Sequence, residues 1–121
     1  MKPTIHTTKG GKISIDDKVI NFDFFINAEG KIIRRKQLSP AEDIVSMQTL
    51  SLSEAEEYYD PAANEMVIGC EDYEKLLISN EAVDFFDEHK FKIKLLPIVE
   101  AAAYWNRYEG HAIGLFHLPM L

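Results

Sequence analysis

The chain has one cysteine, Cys70, and it ends the apolar run Met66-Val67-Ile68-Gly69-Cys70. Open α/β sheets present ligands at the carboxyl ends of their strands. A thiol there is a candidate nucleophile if a base and a cation or helix terminus lower its pKa. His117, near the end of the run His111 to Leu118, is the base that folding could bring to it. Core packing is the simpler reading, because cysteine is among the most buried residue types. Metal chemistry has less support. His6, His89, His111 and His117 show no ligand spacing, and His111 and His117 would stand about 20 Å apart along a strand. The carboxylates Asp84, Asp87 and Glu88, with His89, and the group Glu54, Glu56, Glu57 and Asp60 read as solvated helix faces rather than closed ligand shells. Paired carboxylates for glycoside chemistry cannot be singled out among them. No catalytic group, metal or cofactor is expected.

Two basic segments are candidate anion sites. Lys9-Gly10-Gly11-Lys12 precedes a strand, whereas a phosphate loop opens a helix, so a turn is expected. Lys31-Ile32-Ile33-Arg34-Arg35-Lys36 alternates so that Lys31, Ile33 and Arg35 share one face, the pattern of a charged edge strand guarded against mispairing. Charge is unevenly spread. Residues 1–36 hold 8 Lys/Arg against 4 Asp/Glu, and residues 37–121 hold 5 against 16. The formal net charge of −7 argues against generic nucleic-acid binding. No apolar run approaches the roughly 20 residues of a membrane span, and no basic-then-apolar leader opens the chain. A cytoplasmic location is expected, or an organelle matrix after removal of a targeting segment.

The elements that must position these residues change character along the chain. Residues up to 36 read as an antiparallel meander, with strands at 12–15, 18–20, 22–27 and 31–34, and turns at Gly10-Gly11, Asp16-Asp17 and Ala28-Glu29-Gly30. Ser39-Pro40-Ala41-Glu42 and Ser53-Glu54-Ala55-Glu56 both match a capping box. The second helix should bury Leu52, Ala55 and Tyr59, and stop before Pro61. From Met66 onward strand and helix alternate. A strand ends at Cys70, a short extended piece covers 76–78, and a helix runs to about His89, burying Ala82, Phe85 or Phe86, and His89. Phe91, Ile93 and Leu95 alternate with Lys92 and Lys94, a strand with one wet face near a sheet edge. Pro97 opens a helix lined by Ile98, Ala102, Trp105 and Tyr108 that ends by Gly110, and the longest apolar run follows as the central strand. Strands joined through helices pair in parallel. The expectation is a single α/β domain over 1–121, three-layered, with a mixed sheet, in which an antiparallel meander precedes a parallel β/α unit. With 121 residues, 46% of them hydrophobic, a core forms without disulfides.

The order of certain segments is similar to a known family. Gly11-Lys12-Ile13, Val67-Ile68-Gly69, Leu95-Leu96-Pro97, Ala102-Ala103-Tyr104-Trp105-Asn106 and Leu115-Phe116-His117-Leu118 carry a resemblance to the Mth-type domain of unknown function. Its relatives include mitochondrial complex I assembly factor three and the adipogenesis-associated Mth-domain protein. The resemblance spans nearly the whole chain and implies a three-layer α/β fold with no established reaction. The chain departs from the family pattern at three places. It has Gly69-Cys70-Glu71 for Gly-Thr-Gly, Ile98 for a threonine after the proline, and Pro119-Met120 for Thr and Cys.

A non-catalytic protein-interaction or assembly module, with a protein partner, is therefore the leading expectation, in line with the assembly-factor relatives. The alternative is a small-molecule binder or enzyme using a cleft near Gly69, Cys70, Asn106 and His117. Asn106 qualifies as a polar residue beside an apolar helix stripe.

Overall fold

A computed structural model describes residues 2–7, 12–35, 49–71 and 76–118. The expected helix at Ser39-Pro40-Ala41-Glu42, the Gly10-Gly11 turn and the Pro119-Met120 departure lie outside them.

In chain order the strands β1 (His6–Thr7), β2 (Ile13–Ile15) and β3 (Lys18–Ile20) form a three-stranded antiparallel sheet. The β2–β3 reversal takes two residues, Asp16 and Asp17, at φ 52° and 64°. Positive φ at both central residues suits the right-handed twist of a hairpin, and aspartate tolerates it better than most side chains. The meander then leaves this sheet. β4 (Phe24–Ile26) and β5 (Ile32–Arg34) form a hairpin that belongs to a second, five-stranded sheet. Asn27 Oδ1 accepts from the backbone N–H groups of Glu29 (3.0 Å) and Lys31 (2.9 Å), which closes the reversal with Gly30 at φ 85°.

After β6 (Thr49–Leu50) come α1 (Leu52–Tyr58), β7 (Glu65–Gly69), β8 (Leu77–Ile78), α2 (Asn80–Glu88), β9 (Lys92–Leu96), α3 (Ile98–Arg107) and β10 (Ala112–Phe116). The large sheet has the order β5-β4-β10-β7-β9. β10 pairs parallel with β7 and antiparallel with β4, and β7 pairs parallel with β9. The sheet is thus mixed, with the longest apolar run at its centre as expected. β6 and β8 make a separate parallel pair.

Strand alternation sends the two faces of this sheet into two cores. Phe24, Ile26, Val67 and Phe116 face α3 and the three-stranded sheet, meeting Ile98, Trp105, Ile13 and Ile15. Phe25, Met66, Ile68, Ile113 and Leu115 face the other way, meeting Leu50, Ala55 and Tyr58 with Ala82 and Phe86 of α2. The result is three layers around one sheet.

Three local expectations change. The cap of α1 is Ser51, not Ser53: its Oγ accepts from Glu54 N–H at 3.3 Å. The buried face of α1 is Glu54, Ala55 and Tyr58, and Tyr59 is half-buried. His89 caps the end of α2 and is exposed, its ring tilted against Phe85 and Tyr59 at centroid distances of 4.4 and 4.6 Å.

Candidate functional site

At the carboxyl end of β10 lies a buried ionic cluster. Asp23 immediately precedes β4 and Arg35 immediately follows β5, so hairpin register sets them opposite one another; Arg35 N–H donates to Asp23 O at 2.9 Å. Strand alternation turns both side chains to the face that carries Phe25, toward α1. There Arg35 Nε and Nη2 donate to Glu54 Oε2 and Oε1, both at 2.7 Å, a bidentate pair. Nη1 donates to Asp23 Oδ2 at 3.0 Å, and Nη2 also donates to the carbonyl of Thr49 at 3.0 Å. Tyr58, one helical turn beyond Glu54, donates its O–H to Oε2 at 2.6 Å. Arg35 and Glu54 are each 4% exposed.

Asp23 links this cluster to the last strand. Its Oδ1 accepts from Leu118 N–H at 2.8 Å, and its Oδ2 lies 2.6 Å from His117 Nδ1. A neutral imidazole held this way carries its proton on Nδ1 and leaves Nε2 as an acceptor. His117 is 3% exposed, and Nε2 is the buried side-chain atom without a hydrogen-bond partner among the described residues. Burial works against the charge of Arg35, but Glu54 and then Asp23 outweigh it and raise its pKa. The Tyr58 hydroxyl is pushed up by burial first and Glu54 second, and stays a neutral donor.

The structure separates the four residues singled out in the sequence. Gly69 and His117 are neighbours through the bond from His117 N–H to Gly69 O, 2.8 Å. The parallel register Phe116↔Gly69 continues to His117 beside Cys70, on the face of Ile68 and Leu115. The missing side chain of Gly69 belongs to the opposite face. A Cβ there would stand 2.7 Å from Phe116 Cδ2 and 3.1 Å from Ala101 Cβ, so glycine lets α3 approach the sheet. Asn106, on α3, stands apart from the other three. Its Oδ1 accepts from Ile5 N–H at 2.8 Å and its Nδ2 donates to Ile5 O at 2.7 Å, like one rung of a β-ladder. Trp105 Nε1 donates to Pro3 O at 2.9 Å, and the Lys2 ammonium donates to the carbonyls of Trp105 and Tyr108, so the start of the chain clasps the end of α3.

Asp23, Arg35, Glu54 and Tyr58 complete the site that sequence spacing does not show. One signal was available for Glu54: it sits one turn from Tyr58 on a face shared with Ala55.

Two surface depressions lie elsewhere. One, about 510 Å³, is bordered by Lys2, Thr4, His6, Asp16 and Asp17. The other, about 630 Å³, runs along β9 between Lys90, Lys92, Lys94, Val83, Phe86 and Tyr104. Tyr104 donates to the Glu65 carboxylate, and Lys94 lies over its ring at 5.6 Å. That hydrogen bond, then burial, pushes the Tyr104 pKa up to about 12. No three His, Cys, Asp or Glu converge as a metal site among the described residues, and no described helix is long and apolar enough to cross a membrane.

No protein-family model and no curated protein matches the chain. Solved structures do. A conserved hypothetical protein from Pyrococcus horikoshii is similar over 97% of this chain and 99% of its own, with TM-score 0.77 and 19% identity. A protein named MT938 is similar over 98% and 100%, with TM-score 0.74 and 13% identity. A protein from Bordetella parapertussis is similar over 96% and 95%, with TM-score 0.68 and 14% identity. At these identities the likeness is one of fold.

Proposed function

We propose that the protein is a non-catalytic interaction module of the Mth type, which docks an acidic, extended segment of a protein partner along β9. One observation carries this reading. Of the five Lys/Arg in the strongly acidic stretch 37–121, three are exposed and cluster at the sheet edge that is free among the described residues: Lys92 and Lys94 on β9, and Lys90 in the turn that leads into it. β9 ends the sheet on that side among the described residues, so its outer backbone groups are available to a further strand. The groove beside it adds apolar surface from Val83, 40% exposed, and from the half-buried Ile78 and Ile93.

Lysines on an edge also discourage self-association. Two copies joined edge to edge through β9 would set Lys92 and Lys94 against their own counterparts, and facing like charges are destabilising. An acidic strand reverses that sign. The same pattern therefore rejects a second copy and selects an acidic partner.

The test is binding of a fluorescein-labelled peptide of alternating Glu and Val, followed by anisotropy. Binding should saturate, weaken with added salt and disappear in the Lys92→Glu/Lys94→Glu variant, whereas an alternating Lys and Val peptide should not bind. Equal binding by the variant, or no binding by the native protein, overturns the proposal. A pull-down from native lysate with both forms extends the test to the natural partner, which the variant should fail to retain.

A further inference from the structure

We infer that Arg107 and Tyr104, on α3, join Lys94 to form a pocket for one carboxylate side chain of the docked strand, that of the residue opposite Lys94. The inference rests on docking at β9 and says how the partner is read there.

The backbone of β9 sets the frame. Leu96 O accepts from Cys70 N–H at 3.1 Å, so the peptide groups of Leu96, and by alternation those of Lys94 and Lys92, turn toward β7. Those of Ile93 and Leu95 turn outward, where a further strand would bond to them. Side chains divide with the same period. Ile93 and Leu95 pack against the core on the α2 side, whereas Lys94 is the register partner of Val67 and shares its face, toward α3. The depression at β9 takes its lining from both faces, with Ile78, Val83 and Asp87 on one and Glu65 and Tyr104 on the other, so it wraps the edge. A docked strand therefore presents alternate side chains to two different surfaces.

Those surfaces differ in charge. The α2 side offers apolar side chains and the carboxylate of Asp87, which turns an acid away. The α3 side offers cations. Lys94 Nζ lies 5.6 Å and Arg107 Cζ 5.7 Å from the centroid of the Tyr104 ring. The ring holds both by cation–π attraction and neutralises neither. Both side chains are exposed, and neither forms an ion pair with a described residue, although the stretch 37–121 carries 16 Asp/Glu. Glu65, 7% exposed, accepts from the Tyr104 hydroxyl and so anchors the ring rather than the cations. A partner carboxylate opposite Lys94 arrives on this same face. There it meets the ammonium and the guanidinium together, and the planar fork of Arg107 suits its two oxygens.

The labelled Glu and Val peptide, followed by anisotropy, tests this. Arg107→Gln should raise the dissociation constant about three- to fivefold, the worth of one partly exposed ion pair, and make the salt dependence shallower. Arg34→Gln removes the same charge from β5, the opposite end of the sheet, and should leave binding unchanged. In the native protein the Tyr104 ring resonances, assigned with Tyr104→Phe, should shift on binding, and in Arg107→Gln they should shift less. Native affinity in Arg107→Gln overturns the inference, and so does equal weakening by Arg34→Gln, which would show long-range charge alone. Docking at β9 survives both of those results. Absence of binding by the native protein overturns the docking itself, and the pocket with it.

Discussion

Arg35→Met should be among the most destabilising single changes in this domain. The substitution keeps much of the side-chain bulk but removes every donor of the guanidinium. It leaves Glu54, 4% exposed, without its two 2.7 Å bonds, and Asp23 without its 3.0 Å bond. Removing one partner of a buried ion pair costs about 3–5 kcal/mol, since the surviving charge stays buried and uncompensated. Domains are stable by roughly 5–15 kcal/mol in total, so this is a large fraction. With a urea m-value of about 2 kcal/mol/M, the midpoint should fall by roughly 1.5–2.5 M. Trp105, the one tryptophan and fully buried, reports unfolding by fluorescence. The double variant Arg35→Met/Glu54→Leu should recover much of the loss, because replacing a buried pair by apolar residues is often neutral. A loss under about 1 kcal/mol, the range of exposed salt bridges, would refute the argument that the cluster is desolvated.

Other consequences follow from the packing and the clasp. Gly69→Ala should destabilise by about 1–3 kcal/mol in the same urea assay, because the new methyl falls 2.7–2.8 Å from two carbons of the Phe116 ring. Asn106→Ala should cost about 1–2 kcal/mol and raise hydrogen exchange at the Ile5 amide, whose acceptor it removes; an unchanged Ile5 amide would show that the clasp opens freely. Tyr104 should be deprotonated only near pH 12 in the fold. The hydrogen bond to Glu65 favours its neutral form, so its contribution to stability is complete below the ordinary tyrosine pKa of about 10 and is lost as pH rises from there through the folded value. Titration of the ultraviolet phenolate band should show Glu65→Gln moving this late step to lower pH.

Features set by local period were legible in the sequence. The unbroken apolar runs of β7 and β10 mark strands covered on both faces, and both are buried throughout. The Lys92 and Lys94 alternation marks β9 as half-wet, and it ends the sheet among the described residues. The split of the meander between two sheets was not legible. Nothing in the strands themselves says that β4 leaves β3 to pair with a strand some 90 residues later, since that choice is made by long-range packing.

The site shows the same division more sharply. Cys70 and His117 stand in runs whose period announces burial, and the carboxyl-edge rule makes them candidate neighbours. Arg35 and Glu54 sit among like charges, in Lys31 to Lys36 and in Glu54, Glu56 and Glu57, where period suggests a solvated face. They are buried because each cancels the other across 19 residues, a fact about a pair that neither segment contains. Asp23 joins the two halves, with one carboxylate oxygen on Arg35 and His117 and the other on the backbone of Leu118. That one carboxylate ties the hairpin, α1 and the end of the central strand into a single polar unit. It also fixes the ring of His117, so the orientation of that buried imidazole depends on the same carboxylate that pairs with Arg35.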